Sequence, residues 1–412
     1  MRMRIRRQLR CVYIFLGTFL ILVSAIATSE PSSITGPAQP VTADFFGMHI
    51  HHSTSGTAWP AVPFAGWRLW DAGVAWPQVE PARGRWDFTE LDRYTRLADE
   101  HHVEVLLTLG LTPTWASSRP HETSAYSDGN AAEPRQLSDW EEYVRVVASR
   151  YKGVIHNYEI WNEPNEKGSY TGSVSEMADL SRVAYQTLKS IDSTITVVSP
   201  SATTDSGVSW LDQFLQQGGC QYSDVFGYHF YVTPQPPEKA ISLIQAVEAT
   251  IRKHDCAKKP LWNTESGWAR PKRFNADEDA GGYLMRSFVL NWLLGVQRFY
   301  WYAWDNHNWS TLDLTSDADG KMTNAGAAYG VIHEWMLGAV LRSCKRDRSG
   351  VWACQLERGG STNRIVWSDG DAELFTLPPA WRVQHVVNWT GQASSPSATI
   401  RVGPTPLLLE SD

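Results

Sequence analysis

From about residue 45 to residue 338 the chain alternates short apolar segments with longer amphipathic ones, and that rhythm narrows its possible folds more than any other feature. Eight short segments read as strands: Phe46 to His51, Trp67 to Trp70, Val103 to Leu109, Asn157 to Trp161, Thr196 to Ser199, Val225 to Tyr231, Pro260 to Thr264 and Phe299 to Trp304. Helical spacing marks Leu91 to His101, Ser138 to Arg150, Ser175 to Ile191, Ala240 to Lys253, Gly281 to Leu294 and Ala327 to Leu337. In the clearest of these, Ser138-Asp139-Trp140-Glu141 is a capping-box sequence and Trp140, Tyr143, Val144 and Val147 share a face. Eight alternating units of this size predict an α/β fold, a closed (β/α)8 TIM barrel rather than an open sheet. In such a barrel the C-terminal strand ends carry the active site.

Past residue 338 the rhythm changes. Val351 to Leu356, Arg364 to Trp367, Glu373 to Leu377, Val383 to Trp389 and Ala398 to Val402 are short segments broken by Gly, Pro, Ser and Asp, which is the pattern of antiparallel strands. The chain is thus expected to divide into a barrel at 43–338 and a small C-terminal antiparallel β-sandwich at 339–412. A Pro-, Ser-, Thr- and Gly-rich linker precedes them at 28–42.

Residues 1–27 are of another kind. Arg2, Arg4, Arg6, Arg7 and Arg10 precede an apolar run from Cys11 to Ala27, and Ala25-Ile26-Ala27 matches a small-residue cleavage pattern. The segment reads as an export signal cut after Ala27. An uncleaved membrane anchor is the alternative, because the run is at the lower edge of what spans a bilayer. Export to a periplasm or the extracellular space permits disulfides. With Cys11 inside the signal, Cys344 is expected to pair with Cys354 across a hairpin, and Cys220 with Cys256. Buried free thiols are the alternative; metal ligation is disfavoured because the chain has no CxxC or HxxxH spacing. The net charge of −7 comes without a basic stripe, which argues against a nucleic-acid partner.

Chemistry concentrates at two places. Tyr158-Glu159-Ile160-Trp161-Asn162-Glu163-Pro164-Asn165 ends the fourth apolar segment on a carboxylate beside an amide, and Trp262-Asn263-Thr264-Glu265-Ser266-Gly267 ends the seventh on another. Two glutamates on separate strand ends are what glycosidic bond cleavage needs, one to protonate the leaving oxygen and one to attack or to activate water. This chemistry calls for no metal and no cofactor. A lone Asn-Glu would read as an exposed loop carboxylate; its flanking residues and strand context favour the site.

The run Ile160-Trp161-Asn162-Glu163-Pro164-Asn165, with Gly227-Tyr228-His229-Phe230-Tyr231 and a glutamate ending the seventh strand, resembles the retaining (β/α)8 glycosidases of clan A. Within them it is most similar to glycoside hydrolase family 39 and its exopolysaccharide-cleaving relatives. The resemblance implies that Glu163 is the general acid/base and Glu265 the nucleophile. It also implies that Tyr231 orients Glu265, that Arg68 on the second strand donates to it, and that Trp304 floors the sugar site. Asn162 is placed to bond a sugar 2-hydroxyl. Strand alternation sets His229 on one face with Gly227 and Tyr231, so His229 is expected to touch sugar, with a satisfied core histidine as the alternative. For Arg68 the alternative is a structural ion pair with Asp71. His49 and His51, ending the first strand, are candidates for hydroxyl contacts. Twenty tryptophans is a heavy load, and pyranose faces stack on indole. Trp115, Trp268 and Trp309 are candidates for outer platforms, and core packing accounts for them equally well.

The expected function is therefore a retaining glycoside hydrolase acting on a polysaccharide or oligosaccharide, endo-acting on an extracellular or matrix polysaccharide. Family 39 also contains exo-acting β-xylosidases and α-L-iduronidases, and a β-xylosidase-like exo enzyme is the first alternative. The second is a carbohydrate-binding protein on an inactive glycosidase scaffold. The small β domain either binds glycan or braces the barrel.

Overall fold

The computed structural model describes residues 33–274, 277–306, 308–316 and 320–411, so the expected signal or anchor at 1–27 lies outside the described residues. Eight parallel strands make the barrel: β1 (Phe46–Met48), β2 (Gly66–Leu69), β3 (Glu104–Leu109), β4 (Asn157–Ile160), β5 (Thr196–Val198), β6 (Phe226–His229), β7 (Leu261–Ser266) and β8 (Arg298–Trp301). Each pairs in parallel with its sequence neighbour, β8 returns to β1, and a bridge from Val198 to Val225 closes the ring between β5 and β6. A further piece, Ala202–Thr203, continues β5 and pairs with the end of β6.

Among the described residues seven long helices wrap the outside, α1 (Thr89–Glu100), α2 (Leu137–Arg150), α3 (Val174–Ile191), α4 (Thr204–Gln216), α5 (Lys239–Lys253), α6 (Asp277–Leu293) and α7 (Asn324–Met336), with a single helical turn at Trp76–Val79. The expected helices lie within a few residues of six of these, and α4 is additional. The capping box expected at Ser138 does not form. Gln136 holds the N-cap position without a side-chain bond, and Asp139 is instead taken by Arg83, whose Nη2 donates at 2.7 Å. A capping box does form on α3, between Ser173 and Glu176.

Strand alternation fills the barrel in layers. Leu106, Val198, Val225, Trp262 and Tyr300 form an apolar layer, while the alternate residues Tyr158, Ile160, Phe299 and Trp301 face the helices. Polar side chains occupy the interior nearer the C-terminal strand ends. The barrel bottom is thus sealed, and the chemistry faces the other mouth.

The C-terminal region is antiparallel, as expected. A seven-stranded sheet includes Val340–Arg346, Val351–Arg358, Ser361–Ser368 and Leu407–Ser411, and Glu373–Thr376 with Thr399–Val402 form a separate two-stranded ribbon. Val351, Val366, Val386, Ile400, Val402 and Leu409 make a small second core, with Phe375 of the ribbon packed on it. On the sheet's other side Leu341, Trp352 and Trp367 join the main barrel core. Glu238 fastens this junction, accepting from Arg286 Nη1 at 2.9 and 3.0 Å and from Trp367 Nε1 at 2.8 Å. Part of the segment expected as a linker is sheet: Ser33–Thr35 pairs antiparallel with Ser343–Lys345 as an edge strand. Alternation there is too short to announce a strand; the partner edge supplies the bonds. Cys220 joins Cys256, and Cys344 joins Cys354 across the hairpin. None of the described helices is long and apolar enough to cross a membrane.

Candidate active site

The fourth and sixth strands bring the first carboxylate into place. After β4 the backbone turns through two left-handed residues, Trp161 (φ 66°) and Glu163 (φ 46°), a conformation costly for residues with a Cβ and often found where side chains are held for function. The turn is pinned on both sides. Trp161 is buried with its Nε1 on the Ser169 carbonyl, and the Glu163 amide donates to the Ser201 carbonyl at 2.9 Å. Glu163 Oε1 then meets His229 Nδ1 at 3.0 Å.

Glu265 reaches the same space by a different device. Thr264 points into the barrel, its hydroxyl on Ser201, so strict alternation would send Glu265 outward with Asn263. A register shift between β7 and β8, where Phe299 pairs with Asn263 but Trp301 pairs with Ser266, breaks the alternation and lets Glu265 turn in. Arg68 Nη1 donates to its Oε2 at 2.6 Å and the Tyr231 hydroxyl to its Oε1 at 3.0 Å. Oxygens of Glu163 and Glu265 and a nitrogen of His229 all lie within 4.8 Å of one another. Three such groups can reach one cation, but the Arg68 guanidinium already supplies positive charge against Glu265, and we assign no metal there.

Burial drives the electrostatics. It pushes the Glu163 carboxyl up to about 7. It also pushes Glu265 up, against the opposing pull of His229 and Arg68. Burial lowers His229 to about 4 and holds His49 well below its usual value, so both imidazoles are neutral near neutral pH. Of the two carboxylates, Glu265 has strong donors on both oxygens. Its anion is the better supported, while Glu163 keeps its proton more readily.

The expected residues divide clearly. Glu163, Glu265, Asn162, His229, Tyr231 and Arg68 converge, Asn162 through Arg68 Nη2 at 2.8 Å. The ion pair expected as an alternative for Arg68, with Asp71, gives way to pairs with Glu265 and Glu159. His49 lies inside the barrel with Nε2 against the Thr264 carbonyl at 3.1 Å. His51 is held near Asp305, whose carboxylate takes the His51 and His52 amides at 2.7 and 2.8 Å. Both histidine rings flank Tyr302, at 4.9 and 5.0 Å.

Three tryptophans fall away from the pocket. Trp304 is 2% exposed and belongs to the main core, its Nε1 on the Ala58 carbonyl, since β8 ends at Trp301 and strand alternation no longer directs this side chain. Tyr302, two residues earlier, stands where Trp304 was expected, its hydroxyl donating to Asp71 at 3.0 Å. Trp115 packs on Trp76, beneath Arg83, with Nε1 on the Glu80 carbonyl. Trp268 is 2% exposed and bonds the Gln235 carbonyl. Trp309 is different: 47% exposed, it stands edge-on to Tyr231 and Tyr302 at 5.3 and 5.4 Å.

Beside Tyr302, a groove is lined by Trp70, Asp71, Gly73, Gln78, Leu111 and Tyr126. Tyr126 comes from the long loop between β3 and α2 and accepts from Trp70 Nε1 at 3.1 Å. That loop is braced by Arg119, which grips Glu122 and Glu133 at 2.6 to 2.7 Å. Glu159, Tyr302 and Tyr126 were not singled out from sequence, and Asp71 was named only as a possible partner for Arg68. Alternation along β4 and β8 could have found Glu159 and Tyr302; nothing local announces Tyr126.

A barrel with two glutamates facing one another at the ends of its fourth and seventh strands has the form of a glycosidase site. The sequence profile of glycosyl hydrolases family 39 matches residues 58–286, more than half of the chain, and the protein belongs to that family. A β-xylosidase from Caldicellulosiruptor saccharolyticus is 28% identical over 166 residues, 37% of this chain and 33% of that protein. Endo-1,4-beta-xylanase 2 of Aureobasidium pullulans is 31% identical over 102 residues, 24% of this chain and 27% of that protein. The matched region thus spans about a third of these curated relatives or less. Among solved structures, a family 39 glycoside hydrolase from Bacteroides cellulosilyticus WH2 superposes with a TM-score of 0.72 at 18% identity, covering 90% of this chain and 81% of that one. That likeness speaks for the fold.

Proposed function

We propose that the protein is a retaining glycoside hydrolase of a polysaccharide or oligosaccharide, with Glu163 as acid/base and Glu265 as nucleophile. The observation that carries this reading is the close approach of their oxygens, within 4.8 Å. Retaining enzymes set the two carboxyl groups about 5–5.5 Å apart, whereas inverting ones leave roughly 6.5–9.5 Å for a water. Glu163, protonated up to about pH 7, gives its proton to the leaving oxygen as Glu265 attacks the anomeric carbon. Glu163 then takes a proton from the water that frees the sugar. Neutral His229 fixes Glu163, Tyr231 and Arg68 aim Glu265, and Asn162, held by Arg68, presents its amide to a 2-hydroxyl.

Charge favours a neutral sugar over a uronate. The Asp71 carboxylate lies close enough to raise Glu163, Glu265 and Tyr126 and has no ion pair among the described residues, while Arg68 is occupied by Glu159, Glu265 and Asn162. A sugar carboxylate beside Asp71 would meet repulsion that Arg68, already engaged, does not offset. Exposed Trp309 and Tyr126 support a chain-like substrate and endo action on an extracellular polysaccharide. Exo action of the β-xylosidase kind is the second reading, supported by the names of two relatives. The disulfides fit the exported location that this reading includes.

The test is to incubate the protein lacking residues 1–27, beside Glu163→Gln and Glu265→Ala, with polysaccharides and aryl glycosides, following new reducing ends. Release by the parent and not by the variants is expected. Undiminished activity in Glu265→Ala would overturn the assignment, and binding without product would favour an inactive scaffold.

A further inference from the structure

Glu159 is a buried carboxylate that takes no part in the two-glutamate chemistry. It points inward from β4 with no exposed surface. Its Oε2 takes Arg68 Nε and the Thr108 hydroxyl, each at 2.7 Å, with Arg68 Nη2 at 2.6 Å. Its Oε1 takes the Ser201 hydroxyl at 2.5 Å. The other edge of the same guanidinium holds Glu265 at 2.6 Å. One cation therefore serves two carboxylates.

The surroundings are cut to fit this arrangement. A Cβ on Gly227 would lie 2.1 Å from Ser201 Oγ and 3.3 Å from Glu159 Oε1, so glycine on β6 leaves the room that Ser201 needs. Ser201 in turn accepts from the Thr264 hydroxyl at 2.9 Å, and Thr264 is the residue before Glu265. Glu159 is thus tied to Glu265 twice, through Arg68 and through β7.

A carboxylate that had Arg68 to itself would be a more stable anion and a weaker base, and attack on carbon needs basicity. We propose that Glu159 is a positioning residue for the nucleophile: it fixes the guanidinium's orientation and withholds part of its charge, keeping Glu265 basic enough to attack. This rests on reading Glu265 as the nucleophile. The other charged or titratable groups facing Glu265 are Glu163 after β4, His229 and Tyr231 of the β6 segment, Asp71 after β2, Tyr126 of the loop between β3 and α2, and Tyr302 after β8, with His49 of the β1 segment within reach of Arg68.

Glu159→Gln is close to isosteric. Its amide oxygen can keep Arg68 and Thr108 while its nitrogen donates to Ser201. Carbon-13 NMR of side-chain glutamate carboxyls, assigned with Glu265→Gln, should show Glu265 titrating about one pH unit lower in Glu159→Gln. On any cleaved aryl glycoside the acid limb of kcat/KM should move down with it, kcat should fall with KM little changed, and Glu159→Asp should restore the limb. Thr108→Val removes a donor, makes Glu159 draw harder on Arg68, and should move Glu265 the other way; it serves if Glu159→Gln does not fold. A Glu265 titration unmoved in either folded variant would overturn the proposal. The titration is readable whether or not a glycoside is cleaved, so silence of the parent protein on glycosides would count against the glycosidase reading alone.

Discussion

Replacing Arg68 by Met tests the electrostatic centre without needing a substrate. Arg68 is fully buried and bonds Glu159, Glu265 and Asn162 at 2.6 to 2.8 Å. Met fills much of its volume but leaves two buried carboxylates without a cation. Removing one partner of a buried ion pair costs about 3–5 kcal/mol. The upper end is expected, because two anions are stranded and face each other. The pH dependence carries the sharper signature. In the parent, burial pushes Glu159 up, but Arg68, His229 and hydroxyl donors outweigh it and its carboxyl ends below the usual range. Its contribution is therefore present above the usual glutamate value of about 4.3 and lost as pH falls through the lower folded value. Without Arg68, burial acts on both carboxylates against weaker opposition from His229 and the hydroxyl donors, both values rise, and the penalty grows as pH climbs past the unfolded value. The gap in thermal stability between parent and variant should thus widen from about pH 4.5 to neutrality. Thermal unfolding followed by circular dichroism at both ends of that range is the assay. A gap below about 1 kcal/mol, or one equal at the two ends, would refute the argument.

Other consequences are kinetic. Activity should fall as pH rises through about 7, where Glu163 loses its proton, and Glu163→Gln should lose that limb. On substrates with poor leaving groups the same variant should be slower by about 100- to 10,000-fold, and much less so on dinitrophenyl glycosides. Tyr231→Phe removes a donor to a buried charge worth about 1.5–3 kcal/mol, so kcat/KM should drop roughly ten- to hundredfold and its acid limb should move up. Trp309→Ala should raise KM for oligosaccharides by about three- to tenfold while sparing aryl monosaccharides.

The barrel is legible in the sequence because buried parallel strands are continuous apolar runs, and each of the eight falls within a few residues of its expected place. Helix α4 is missed because Thr204-Asp205-Ser206-Gly207 opens it with weak helix formers, and burial of Trp210, Leu211 and Phe214 decides the matter instead. Leu407–Ser411 depends on partners far back along the chain, at Ser361–Ser368 and Val383–Val387, which no local pattern reveals, whereas Val340–Arg346 pairs with its immediate neighbour Val351–Arg358, as the hairpin expected from the two cysteines implies. At the site, the motif around Glu163 locates one carboxylate outright. Glu265 is found by its position on a strand, while the bulge that turns it inward cannot be read from residue types. Trp304 shows the opposite error: an indole near a site is not an indole in it, because β8 ends at Trp301 and alternation no longer fixes where Trp304 points, so its indole packs in the core while Tyr302 holds the place.

The central claim is a covalent sugar on Glu265. Incubating Glu163→Gln with a dinitrophenyl β-xyloside, whose leaving group needs no acid, should let the glycosyl-enzyme accumulate. Mass spectrometry of the digested protein should then place one sugar on the peptide containing Glu265. Turnover of that probe without an adduct, with the released sugar inverted at its anomeric carbon, would contradict the account.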